Sequence, residues 1–196
     1  MRYTSHLDLY RTWERTLRRA NLPLSYSQGF KPHPRLNLAS ALPLGFTSQA
    51  EVVDVWLEND APIDELERIL VRALPPGLQV EQIRQVELQA PGLQVKLVAA
   101  EYLVTLLQPY PDLDTRLREV LSAINLPRER RGKTYDLRPL IQDIQRPADD
   151  ENGCQRIFMR LSARESATGR PEEVLLCANI DPLSARIHRS RLIFAD

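Results

Sequence analysis

Residues 5–45, SHLDLYRTWERTLRRANLPLSYSQGFKPHPRLNLASALPLG, read as a helix, a turn-rich loop and the entry to a strand, and this order sets the reading of the rest. Leu7, Tyr10, Trp13, Leu17 and Ala20 recur at three- and four-residue steps, which places them on one stripe of an amphipathic helix. Ser5 with Asp8 three residues on resembles a capping box in which Asp replaces the usual Glu or Gln. On another face Arg11, Arg15 and Arg18 follow at i, i+4 and i+7 with Arg19 beside them, a basic ridge. The stretch 21–31 is rich in turn formers, and Pro32 and Pro34 direct the chain into an extended path over 35–41.

Moving outward, residues 51–58 put Val53, Val55 and Leu57 on one parity and Asp54, Trp56 and Glu58 on the other, the pattern of a half-buried strand. Ile63, Leu66, Ile69, Leu70 and Ala73 form a second helical stripe, opened by Pro62 and stopped by Pro75-Pro76-Gly77. Residues 78–88 read as another strand. With residues 1–4 as the stub of a first strand, the order is strand, helix, strand, strand, helix, strand, the split βαβ of a ferredoxin-like domain. The shortness of that stub points to a shortened or misassigned amino terminus. Pro91-Gly92 marks a boundary.

Beyond it come a strand at 100–107, a helix capped by Asp112 with the stripe Leu113, Leu117, Val120, Leu121 and Ile124, and a basic segment at 128–133. A polar turn at 148–153, a strand at Ile157, Met159 and Leu161, a short helix from Pro171 and a closing strand at 186–194 complete the chain. The fold class expected is α+β: a ferredoxin-like domain over 1–91 carrying the basic helix and Gly-Pro loop, and a variant of it over 98–196.

The 196 residues carry 26 Lys plus Arg against 26 Asp plus Glu, with 43% hydrophobic and 27% charged content, an ordinary globular composition. No run of ~18 apolar residues exists, so no membrane span or membrane partner is expected. Met1 is followed at once by a charged segment with no apolar core, so no secretory signal is expected and the cytoplasm is the default expectation. Cys154 and Cys177 provide neither a disulfide framework nor a CxxC knuckle, and His6, His33 and His188 are scattered, so no metal site is expected. The neutral sum hides an uneven distribution. Residues 1–35 hold seven basic residues against Asp8 and Glu14, whereas residues 51–90 hold nine acids against three bases. One face suited to an anionic ligand is compatible with that pattern.

The densest stretch for chemistry is 25–35, SYSQGFKPHPR. Ser27, Gln28 and Gly29 offer a hydroxyl, an amide and close backbone approach, and the prolines lower the ordering cost. Lys31, His33 and Arg35 supply donors for phosphate or carboxylate. The competing reading is a rigid crossover between helix and strand. Among the helical cations, Glu14 pairs with Arg18 and Asp8 reaches Arg11, which leaves Arg15 and Arg19 to join the loop in one anion-binding surface. Arg128, Arg130, Arg131 and Lys133 make a secondary basic patch, with a solvated turn as the alternative. Walker A, GxGxxG, GxSxG and HExxH patterns are all missing. The one catalytic candidate is His33, with Asp8 or Tyr26 as partner.

The block over 5–45 followed by SQAEVVDVWL, then LPRERRGKTYDLRPLI and the closing RPEEVLLCAN and RIHRSRL, resembles a bacterial radical-SAM-linked family over nearly the whole chain. Members of that family carry a further strand ahead of the serine-histidine pair. The resemblance implies a protein encoded beside, or fused to, a radical S-adenosylmethionine enzyme, and it carries over no catalytic residues. A site-differentiated four-iron cluster takes three cysteine thiolates, and this chain has two cysteines. No cofactor is therefore expected here, and the iron–sulfur cluster and S-adenosylmethionine are expected on the partner. The leading expectation is an accessory substrate-recognition protein for a radical SAM enzyme, its substrate RNA or another phosphorylated molecule. The alternatives are a metal-independent RNA-cleaving or RNA-modifying enzyme using His33, and a protein-docking module. No aromatic RNP motif is present, and Trp56, Tyr102 and Phe158 form no recognisable stacking set.

Overall fold

In the computed structural model, which describes residues 2–195, Ser5 caps helix α1 (His6–Arg19). Its Oγ accepts from the Asp8 amide at 3.2 Å and donates to the Asp8 carboxylate at 2.7 Å. Asp, one methylene shorter than Glu, takes the hydroxyl and not the backbone N–H of a full capping box. Trp13, Leu17 and Ala20 enter a core with Leu24, Leu36, Leu38, Leu70 and Ala73. Leu7, in the first turn, stays exposed because the helix starts before that core does.

Strand β1 (Leu36–Leu38) is followed by β2 (Thr47–Ser48) and β3 (Val53–Val55). β1 pairs with β3 antiparallel, Leu36 opposite Val55. Helix α2 (Ile63–Ala73) packs Leu70 and Ala73 inward and ends before Pro75. Two expected strands are corrected here. Residues 78–88 form no strand; Leu78, Val80 and Ile83 pack against the core, while Val86 and Leu88 are exposed. The period-2 alternation breaks at Ile83, so this segment has no single apolar face to seat on a sheet. Residues 2–4 make a turn with no strand, and Met1 lies outside the described residues. The six-element order expected for the first half is thus not completed among the described residues.

The single-turn helix α3 (Leu93–Lys96) leads into β4 (Leu97–Leu106), α4 (Leu113–Ser122), β5 (Pro127–Arg130), β6 (Lys133–Asp136), β7 (Ile141–Gln145), β8 (Arg156–Arg164), β9 (Ala167–Thr168), α5 (Pro171–Cys177) and β10 (Ala185–Phe194). The sheet runs β2-β10-β4-β8-β7, with β9 on β8 and β5-β6 a separate ribbon. β10 with β4, β4 with β8 and β8 with β7 are antiparallel, and β2 is parallel to β10. Register sorts the side chains into two faces. Ile187, Val104 and Ile157 form one row of the core face, and Arg189, Tyr102, Met159 and Ile144 the next. The α4 residues Leu113, Leu117 and Val120 are buried with Val174 and Leu175 of α5. Ile124 lies beyond the end of α4 and is exposed.

The chain divides into two units. One runs to Leu44 and resumes over Val52–Leu93; the other takes Gly45–Glu51 and everything from Gln94. β2 therefore belongs to the second unit although its sequence lies within the first half. Glu51, at the end of that short segment, holds Arg189 through Oε1 at 2.8 Å and Oε2 at 2.6 Å. The Arg189 side chain is 2% exposed. Both units combine helices with antiparallel strands, and the class is α+β. No helix among the described residues is long and apolar enough to cross a membrane.

Candidate functional site

Ser25 and Arg35 are hydrogen-bonded neighbours, so residues 26–34 leave and re-enter what is otherwise one extended path. The Ser25 amide donates to Trp56 O at 2.9 Å, the Trp56 amide to Arg35 O at 3.1 Å, and the Arg35 amide to Ser25 O at 2.8 Å. Within the excursion Tyr26 bridges Pro34 and the Ser27 amide donates to His33 O at 2.9 Å, while Ser27 Oγ accepts from the His33 amide at 3.0 Å. Ser27 is thus a structural clamp. The tip, Gln28 to Pro32, is exposed throughout, and the Phe30 ring at 108% relative exposure stands clear of the fold. Gly29 has φ +133° with nothing within 4 Å of where a Cβ would lie, so backbone conformation and not space calls for glycine.

One carboxylate ties the loop to α1. Glu14 Oε1 lies 3.3 Å from Arg18 Nη2 and 3.6 Å from His33 Nδ1. The Glu14–Arg18 pair follows from i, i+4 spacing; its sharing with His33 required the fold and was missed by the sequence reading. Arg15, the next helix residue, and Lys31 are exposed and have no side-chain partner among the described residues. The Arg35 guanidinium lies over Trp56, 5.0 Å from the ring centroid. Arg19 belongs elsewhere: Nε and Nη2 donate to Ala73 O at 3.1 and 2.6 Å, which satisfies a carbonyl at the end of α2 and locks the two helices together. The loop therefore presents Lys31, His33 and Arg35, and Arg15 lies on the helix that anchors it.

The secondary basic patch is a hairpin. Arg131 (φ 50°) and Gly132 (φ 73°) make a two-residue turn with both φ positive, the type I′ geometry that matches strand twist. Register places Arg128 opposite Tyr135 and Arg130 opposite Lys133 on the same face. Arg128 anchors the ribbon, its Nε 2.5 Å from Glu173 Oε2 in α5. That hydrogen bond holds the Arg128 pKa above its ordinary value. Asp136 closes the base, accepting from the Leu126 and Arg138 amides at 2.7 and 2.9 Å, and these bonds lower its pKa. Arg130, Arg131 and Lys133 remain exposed, without side-chain partners among the described residues.

The face of the second unit's sheet opposite its core carries charge that the sequence reading did not single out. Asp143, Arg160, Glu101 and Arg191 form one row, Gln145, Phe158, Leu103 and His188 the next, and Arg156, Thr105 and Arg186 the third. The signal was present as parity: Arg156, Phe158 and Arg160 alternate with buried Ile157, Met159 and Leu161. Tyr102 and Phe158 occupy opposite faces and Trp56 lies in the other unit, which is why the three aromatics read as no set. His188 Nδ1 is 2.8 Å from Thr47 Oγ1, and burial lowers its pKa. Burial raises the Cys177 thiol, which makes it a poor nucleophile near neutrality. Among the described residues no three His, Cys, Asp or Glu side chains are grouped to hold a metal ion.

These features define an α+β protein with a basic, aromatic-tipped loop in one unit and a basic ribbon in the other. The chain belongs to a bacterial family: residues 1–171 match the family described as "Uncharacterized protein conserved in bacteria (DUF2344)". No curated protein matches the sequence.

Proposed function

We propose that the protein is a noncatalytic accessory factor that recognises RNA through the 26–34 loop and delivers it to a radical SAM enzyme. The observation that carries this reading is the loop tip, where fully exposed Phe30 stands beside Lys31 with no partner for either among the described residues. An aromatic next to cations suits an unstacked base and its phosphate. The link to a radical SAM partner rests on the sequence resemblance alone. His33 supports the enzymatic alternative less well: its ring lies 3.6 Å from Glu14, and its side chain is 64% exposed. For the fold, strand order β10-β4-β8-β7 with a helix after β4 and after β8 supports a ferredoxin-like reading of the second unit.

Fluorescence anisotropy with a labelled single-stranded RNA oligonucleotide tests the ligand. Binding should weaken as salt rises, and Arg15→Ala with Lys31→Ala should weaken it further; equal affinity of the variant would remove the loop from the site. Anaerobic reconstitution tests the division of labour. The isolated chain should incorporate no stoichiometric four-iron cluster, and S-adenosylmethionine cleavage should appear only with the partner enzyme.

A further inference from the structure

We infer that the face of the second unit's sheet opposite its core is a stacking platform for single-stranded RNA, with bases on the Phe158–His188 row and phosphates at Arg156 and Arg186. The inference rests on the RNA reading above and assigns it a second, independent surface.

The three rows differ in charge. In the first, Asp143, Arg160, Glu101 and Arg191 alternate in sign, and Arg160 donates to Glu101 from Nε at 2.9 Å and Nη2 at 2.6 Å. That row is internally compensated. The middle row carries two rings, Phe158 on β8 and His188 on β10, with Leu103 of the intervening strand β4 between them. Burial lowers the His188 pKa, and its Nδ1 lies 2.8 Å from Thr47 Oγ1. The third row has two arginines flanking Thr105 and no acid. Arg156 Nε donates to Ala148 O at 2.8 Å, leaving its Nη groups available, and Arg186 is exposed with no side-chain partner among the described residues.

Glu101 on this face is 8% exposed, and it is the middle row that accessibility separates from the core face. Val104, Ile157 and Met159 on the core face are 0% exposed, whereas Leu103, Phe158 and His188 retain partial exposure. Adjacent strands lie ~4.8 Å apart and alternate residues along a strand ~6.7 Å apart. The two rings are therefore about 10 Å apart with cations one row away, the scale of a base and its own phosphate. Two rings and a leucine in one row, with two arginines in the row beside it, suit unpaired bases, which stack on π-faces, better than a duplex, whose bases are already stacked.

The test uses the full chain and a fluorescein-labelled oligouridylate. Arg156→Ala with Arg186→Ala should reduce the slope of log affinity against log salt by about 1.4, two single-strand phosphate contacts. Phe158→Leu, which keeps an apolar side chain, should weaken binding about five- to 150-fold. Photocrosslinking of a 5-iodouridine oligonucleotide to the unaltered chain, mapped by mass spectrometry, decides the matter even where a variant fails to fold. Crosslinks at Phe158 or His188 support the platform, and crosslinks confined to residues 25–35 overturn it while leaving the loop reading intact. Loss of binding in the sheet variants with parental binding in Arg15→Ala/Lys31→Ala would keep the platform and overturn the loop. No binding by the unaltered chain would overturn both.

Discussion

The two units are held together by unlike amounts of regular pairing. In the first, β1 and β3 share three residue pairs, and core positions such as Leu36 and Leu70 stay 8% exposed. In the second, β4 and β8 share seven register pairs over a row of side chains sealed from solvent. The first unit places its basic residues on an irregular excursion tied down by a shared carboxylate, Glu14. The second places them on a regular ribbon and a sheet face, where strand register fixes their spacing. The difference separates an adaptable contact from a preset one: ordering the exposed 28–32 tip on a ligand costs entropy that the sheet face does not incur.

The largest effect should come from Glu51→Ala in the second unit. It takes the carboxylate from a guanidinium that is 2% exposed while Glu51 itself is 24% exposed. A loss of about 3 kcal/mol is expected in urea denaturation, the lower end for breaking a buried pair. A loss below ~1 kcal/mol would mean that the pair is no structural centre of that unit. Close behind, Met159→Ala should cost up to about 3 kcal/mol and Leu36→Ala about 2 kcal/mol, because the sparser packing around Leu36 can relax into the gap. The reverse order would break the contrast between the units.

Glu172 gives a smaller effect with a defined pH dependence. Burial raises its pKa above the ordinary carboxylate value, and its Oε2 is buried without a hydrogen-bond partner. The folded state thus holds this proton more tightly than the unfolded chain does. The contribution to stability is full below the ordinary carboxylate range and is lost as pH climbs through the raised value. Glu172→Gln should melt with the parent near pH ~4 and a few degrees above it near pH ~8. Coincident melting at both would show that the carboxyl is solvated. The smallest stability effect belongs to the loop: Arg15→Ala with Lys31→Ala should shift unfolding by less than ~0.5 kcal/mol, as expected of exposed charges without partners. A larger loss would make those residues structural and draw the two units closer in kind.

What was legible in the sequence was what local periodicity and caps encode. α1 and α2 follow their apolar stripes, α4 follows Leu113, Leu117 and Val120, and β8 follows the alternation of Ile157, Met159 and Leu161. Residues 78–88 misled because apolar content without strict alternation does not specify a sheet partner. The 128–133 tract looked like a charge run because a type I′ turn formed by Arg-Gly is a weaker signal than Asn-Gly or Asp-Gly. Two residues of β2 give no periodicity at all, and Glu51 with Arg189, 138 positions apart, leaves no local trace. The concentration of polar and basic side chains over 25–35 is visible in the sequence itself, but a glutamate shared by Arg18 and His33, and an Arg19 committed to Ala73, are properties of the fold.

The seven-residue visit of Gly45–Glu51 to the second unit has a genetic consequence. A gene divided at the Pro91–Leu93 junction would encode a carboxy-terminal fragment with nothing beside Thr47's and Ser48's places on β10, and with a buried guanidinium lacking its carboxylate. Its amino-terminal counterpart would carry a strand that belongs to someone else's sheet. Duplication, fission or exchange at that junction should thus yield poorly folding halves, and the two units are expected to be inherited as one cistron.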